Sequence, residues 1–101
     1  MADIRKAREA LIAGILEGDG QASPAQRRAA FDNAALGEPP ATLVRKVTDR
    51  AHEVTDQDVA AVIASGLSED QVFEIAACAA VGQATRQHDA ALAALEAATK
   101  E

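Results

Sequence analysis

The sequence predicts an all-α fold, a compact bundle of about five helices ending in one long alanine-rich helix. Three observations predict it. Apolar residues recur at helical spacing, and strand-like alternation survives nowhere in the chain. Alanine, the strongest helix former, makes up about a quarter of the residues. Ser, Thr, Gly and Pro stand where such helices would start and stop. A length of 101 residues and a mass of 10.4 kDa fit a single domain over 1–101. With two Phe, no Tyr and no Trp, its core is thin, because alanine removes little apolar surface from water. That shortfall predicts a homo-oligomer supplying the missing burial.

The first helix is expected over 4–17. Ile4, Ala7, Leu11 and Ile15, with Ile12 and Leu16 on the neighbouring edge, make one apolar face. Asp3 is placed to cap it, and Gly18-Asp19-Gly20 stops it. That Gly-Asp-Gly reads as a plain turn. It lacks the ligand series of a calcium loop and the Lys-Ser/Thr ending of a phosphate loop. Ser23-Pro24 opens the second helix, over 25–36, with Ala30, Phe31 and Ala34 or Ala35 available for packing and Gly37 ending it. Glu38-Pro39-Pro40 predicts an extended connection, since a residue before proline avoids helical dihedrals.

A third helix follows over 40–52, with Leu43, Val44 and Val47 inward. Thr55 with Asp58 makes an acidic capping box for a fourth helix carrying Val59, Val62 and Ile63, and Gly66 is its left-handed C-cap. Ser68 with Gln71 repeats the capping logic, helped by Glu69 and Asp70 near the positive end of the helix dipole. The last helix is expected over 69–98. Its first half, with Val72, Phe73, Ile75, Ala76, Ala79 and Ala80, is broadly apolar, and Leu92 and Leu95 resume the stripe. It is too long to bury against four short helices, so its exposed flank is the candidate subunit interface.

A net charge of -6 and a pI near 4.8 argue against a nucleic-acid binder. The pairs Arg5/Lys6 and Arg27/Arg28 read as solvated helix faces. No apolar stretch is long enough to span a bilayer. One cysteine and no cleavable apolar leader predict a cytoplasmic, reducing compartment.

Candidate chemistry is sparse. Cys78 has no CxxC partner and sits on an alanine-rich face, where a thiol behaves as a small hydrophobe. Glu74 lies one turn into the last helix between Phe73 and Ile75; burial there would raise its pKa, whereas a cap-associated position would not. His52 closes the third helix beside Glu53, and His88 lies in the polar Arg86-Gln87-His88-Asp89 patch. Arg86 and Asp89 read as a surface ion pair. His52, Glu53, Asp56 and His88 have no metal-site spacing, and no cofactor motif is present. The candidate catalytic set is therefore Glu74, His52, Asp58 and His88, which only the fold or an oligomer could assemble.

The segment IASGLSEDQVFEIAACAAVGQATRQHDAALAAL, preceded by LVRKVTDRAHEVTDQDVAAV, resembles the alkyl hydroperoxidase D-like and carboxymuconolactone decarboxylase-like superfamily over 40–95. The resemblance lies in a helix pair, a G-L-S-E turn and a long small-residue helix. It implies an all-helical oligomer. In the active hydroperoxidases it also implies a CxxC dithiol with a histidine four residues on, eight residues before the turn glycine. Counted from Gly66, those positions hold Ala51, Val54 and Asp58, so the dithiol is absent. The decarboxylase branch offers no residue-by-residue match. Three classes follow: a non-dithiol oligomer binding a small molecule or protein partner, an enzyme of lactone decarboxylase-like or peroxide-linked antioxidant type, and a structural assembly protein.

Overall fold

A computed structural model describes residues 3–34 and 36–100, and of Asp3 the backbone alone. The elements run α1 (Asp3–Glu17), α2 (Pro24–Phe31), α3 (Pro40–Arg50), a 3₁₀ turn (Ala51–Glu53), α4 (Asp56–Ala64) and α5 (Glu69–Thr99). No strand occurs among the described residues, so the all-helical expectation holds. Two expectations, a cap from the Asp3 side chain and packing of Ala35, fall outside what is described.

The starts of α2, α4 and α5 follow the capping rules. Ser23 with Gln26, Thr55 with Asp58 and Ser68 with Gln71 each form a complete reciprocal box, satisfying orphan N–H groups at both ends of the exchange. Past the C-cap Ser65, Gly66 takes a φ of 115°. α3 has no side-chain cap of its own. Instead Glu38, just outside it, accepts from the Thr42 hydroxyl at 2.6 Å and the Thr42 N–H at 3.2 Å. The Glu38–Pro39 peptide is cis, and 38–39 form a turn rather than the expected extended connection.

α2 ends five residues earlier than its sequence suggests. The Asn33 N–H donates to the Ala30 carbonyl at 3.1 Å and the Ala34 N–H to the Ala29 carbonyl at 2.8 Å, with Asn33 at a φ of 53°. That is a Schellman stop, with asparagine in the left-handed position usually held by glycine. Tertiary contacts reinforce it. Arg86 of α5 donates Nη1 to the Phe31 carbonyl at 2.6 Å, so Arg86 serves this helix end rather than Asp89. Directly beneath lies Gly82, where an added Cβ would overlap the Phe31 carbonyl oxygen and sit 2.7 Å from its carbon. Only glycine admits the end of α2 so close to α5.

α5 is the spine. Val72, Ile75, Cys78, Ala79 and Gly82 make its buried face at helical spacing. Ile75, Cys78 and Ala79 pack with Leu16, Ala22, Ala30 and Val44 in one cluster. A second cluster joins Leu43, Val62 and Val72, and half-buried Val47 and Leu67 border both. From Arg86 to Lys100 every residue is exposed, so the distal half of α5 projects beyond the body, consistent with a longest dimension of 54 Å.

α1 runs antiparallel along α5: Ile15 lies by Cys78 at one end and Arg8 by Asp89 at the other. Its packed edge is Arg8, Ile12, Ile15 and Leu16, not the predicted Ile4-Ala7-Leu11 line. Ile4 at 68% and Leu11 at 63% exposure face outward, because α5 and α2 cover only one side of the apolar arc. On α5, Phe73 and Ala80 are likewise exposed rather than packed in the core.

Candidate functional site

The connection between α1 and α2 is fastened to α5 through one carboxylate. Glu74 Oε1 accepts from the Gln21 N–H at 2.9 Å and the Ala22 N–H at 2.8 Å, and Oε2 accepts from Gln21 at 3.0 Å. One turn earlier, Gln71 Nε2 donates to the Gln21 carbonyl at 3.2 Å, so both peptide groups of Gln21 are held. Gly20 makes room: a Cβ there would lie 2.8 Å from Glu74 Oε1. Glu74 is half-buried, yet the Gln21 and Ala22 amides outweigh burial, and with help from the Arg27 charge they hold its carboxyl below the usual glutamate range. The expectation tied to burial, a raised pKa, is thus reversed; the cap-associated reading describes what Glu74 does.

Arg27 corrects the sequence reading most sharply. It is 4% exposed, not solvated like its neighbour Arg28. Its Nε donates to the Ala22 carbonyl at 3.1 Å and Nη1 to the Ile15 carbonyl at 3.0 Å. The guanidinium therefore gathers carbonyls from the end of α1 and the start of α2, while Glu74 gathers the amides of the same loop. The available signal was its spacing to Ala30, three residues on, along the buried face of α2.

Cys78 is 1% exposed, with its sulfur 4.0 Å from the Ile15 carbonyl oxygen. Burial pushes the thiol pKa up and Glu74 adds to the rise, against an opposing pull from Arg27. A thiol in that state is a poor nucleophile.

The other candidates are occupied separately. Asp58 accepts from the Thr55 N–H at 2.9 Å and pairs with Lys46 at 2.9 Å; the Lys46 bond, followed by the Thr55 amide, lowers its pKa. His52 stands on the 3₁₀ turn with its side chain 81% exposed, 3.7 Å from Glu53. His88 Nδ1 lies 2.6 Å from Arg8 Nη1 and 3.3 Å from Asp89. Asp89, bonded to His88 and Arg8, is held below the usual aspartate range. Within one chain Glu74, Asp58, His52 and His88 share no partner, and no group of three or more His, Cys, Asp or Glu among the described residues could hold a metal ion.

What the fold does assemble is apolar. Leu43 and Val47 of α3, Val59 and Ile63 of α4, and Val72, Phe73 and Ala76 of α5 line a groove of about 370 Å³, with Val54 at one end. Phe73 stands in it 73% exposed and Ile63 36% exposed. Glu69 is the one charged group on its rim.

No protein-family model, curated protein or solved structure matches this chain. Function must therefore be read from the surfaces themselves. No helix of the described residues is long and apolar enough to cross a membrane.

Proposed function

We propose that this chain is a non-catalytic binding protein whose groove between α3, α4 and α5 takes a small apolar molecule. The observation that carries the reading is Phe73, a large ring left 73% exposed at the wall of an otherwise aliphatic groove. Exposing an aromatic ring to water is unfavourable, and a ligand that covers it recovers that free energy. The volume, about 370 Å³, suits a small organic molecule. With Glu69 as the only rim charge, the ligand is neutral or cationic at its polar end. The carboxylates of Glu74 and Asp58, by contrast, are engaged by backbone amides, which supports a positional role over acid–base work.

Membership of the hydroperoxidase D-like and carboxymuconolactone decarboxylase-like superfamily is part of this proposal. Its support is the order of elements over 40–95, a helix pair, a capped turn and a long helix. A cytoplasmic setting rests on the lone, buried thiol of Cys78.

The neutral dye N-phenyl-1-naphthylamine tests the groove. Saturable fluorescence enhancement is expected, with affinity about tenfold weaker in Phe73→Ser, the equivalent of about 1.4 kcal/mol. Equal binding by the two proteins, or none by either, overturns the reading.

A further inference from the structure

The groove between α3, α4 and α5 offers a ligand aliphatic walls and one charge. Apart from Glu69, its lining is Leu, Val, Ile, Phe and Ala throughout. None of those side chains carries an N–H or O–H, so the only polar side-chain function facing a ligand is a negatively charged acceptor. Glu69 is exposed at the first position of α5 and takes part in no ion pair among the described residues. No Lys, Arg or His lines the groove, and Lys46 of α3 is already paired with Asp58 of α4 at 2.9 Å. The positive end of the α5 dipole is met within the chain by Glu69, by Asp70 and by the Ser68 hydroxyl, which accepts from the Gln71 N–H at 3.1 Å. An anionic head would therefore find no side-chain partner, and a chain with a net charge of -6 repels it at longer range.

Phe73 follows Glu69 by four residues and so lies on the same side of α5, with Cβ atoms about 6 Å apart. A cation seated between them bonds to the carboxylate and stays within reach of the ring face, whose quadrupole attracts it. From Glu69 to Ala76 the groove follows α5 for about 10.5 Å, room for a short aliphatic tail. We infer, on the reading of this groove as a ligand site, that its occupant is a free aliphatic primary amine in its protonated form. Its ammonium sits between Glu69 and Phe73, and its tail lies along Leu43, Val59 and Val72. An ammonium supplies both things that Glu69 takes, positive charge and N–H donors. A lysine of a protein partner enters ammonium first. It would carry its charge past the rim into the aliphatic walls, where it is desolvated and unpaired.

Hexylammonium and 1-hexanol share one chain and differ at the head. Titrating each into the ¹⁵N-labelled full chain at neutral pH, where the amine is protonated, isolates that head. Both should give saturable shifts at Val59, Ile63 and Phe73. Hexylammonium should bind about fivefold tighter, the combined effect of an exposed ion pair and a cation–π contact. Glu69→Gln, which leaves the Ser68–Gln71 capping box in place, should bring that ratio close to one with unchanged helical circular dichroism. Asp70→Asn removes the same charge one residue on, outside the groove lining, and should keep the ratio. Added salt should shrink the preference. Equal binding of the two probes, or hexanoate binding as tightly as hexylammonium, overturns the inference and leaves the groove reading in place. A preference that survives Glu69→Gln, or one lost in Asp70→Asn, does the same. So does tighter binding of Nα-acetyllysine amide, which would make the occupant a protein lysine. Without saturable shifts from either hexanol or hexylammonium, the groove reading itself fails and the inference with it.

Discussion

Replacing Glu74 by Gln removes a charge while keeping a similar shape and one acceptor oxygen. In the native protein that carboxylate receives the amides of Gln21 and Ala22, a half-buried, charge-assisted pair of bonds near Arg27. Hydrogen bonds to charged groups contribute about 1.5–3 kcal/mol each when well formed, and partial exposure reduces this. Retaining the amide acceptor leaves a loss of about 1 kcal/mol for Glu74→Gln, and about 2–3 kcal/mol for Glu74→Ala. For a domain of this size, 1 kcal/mol moves the melting temperature by about 4–8 °C. The pH dependence is more telling. Because the folded pKa of Glu74 is lowered, its charge contributes stability in full above the unfolded-state value and loses it as pH falls through the folded value. The wild-type advantage over Glu74→Gln should therefore be largest near neutrality and shrink on acidification. Asp58, Asp89 and Glu38 also have lowered pKa values, but both proteins carry them and their contributions cancel in the difference. Urea unfolding followed by circular dichroism at several pH values reads this difference. An advantage that stays constant or grows as the solution is acidified would refute the carboxylate–amide account.

Gly82→Ala should cost about 1–3 kcal/mol, because the new methyl meets the Phe31 backbone, which cannot give way as a side chain could. A melting temperature equal to wild type would contradict the close crossing of α2 and α5. Arg27→Ala should destabilise by about 3 kcal/mol, leaving the Ala22 and Ile15 carbonyls without their donor; a loss below about 0.5 kcal/mol would mean that Arg27 is solvated after all. Native Cys78 should resist a bulky thiol reagent and label fully in urea, and rapid native labelling would overturn its burial.

Local chemistry was legible in the sequence; direction was not. Thr55-Asp58 and Ser68-Gln71 announce helix starts because the capping exchange involves residues three apart. The end of α2 escaped, although Asn33 is a fair stop signal, because Ala34 and Leu36 have helical propensity and Gly37 offered a more familiar one. What settles the stop is Arg86 and Gly82, more than fifty positions away. The same holds at Glu74, whose amide partners lie more than fifty residues earlier in a glycine turn with no motif of its own. Periodicity identified the apolar arc of α1 but could not say which edge α5 would cover. Of the candidate site, the sequence offered Glu74, Asp58, His52 and His88 by residue type. The groove is built from Leu43, Val59, Ile63 and Phe73, which read as ordinary core until the crossing of three helices left one wall open.

The most direct test of the groove is chemical-shift mapping. ¹⁵N-labelled protein would be titrated with 1-hexanol, a small neutral apolar probe. Binding through the open side of α3, α4 and α5 predicts saturable shifts centred on Val59, Ile63 and Phe73, with the Glu74-bound amides of Gln21 and Ala22 and the residues around His88 unmoved. Shifts that never saturate, or that centre on Glu74 or either histidine, would contradict it.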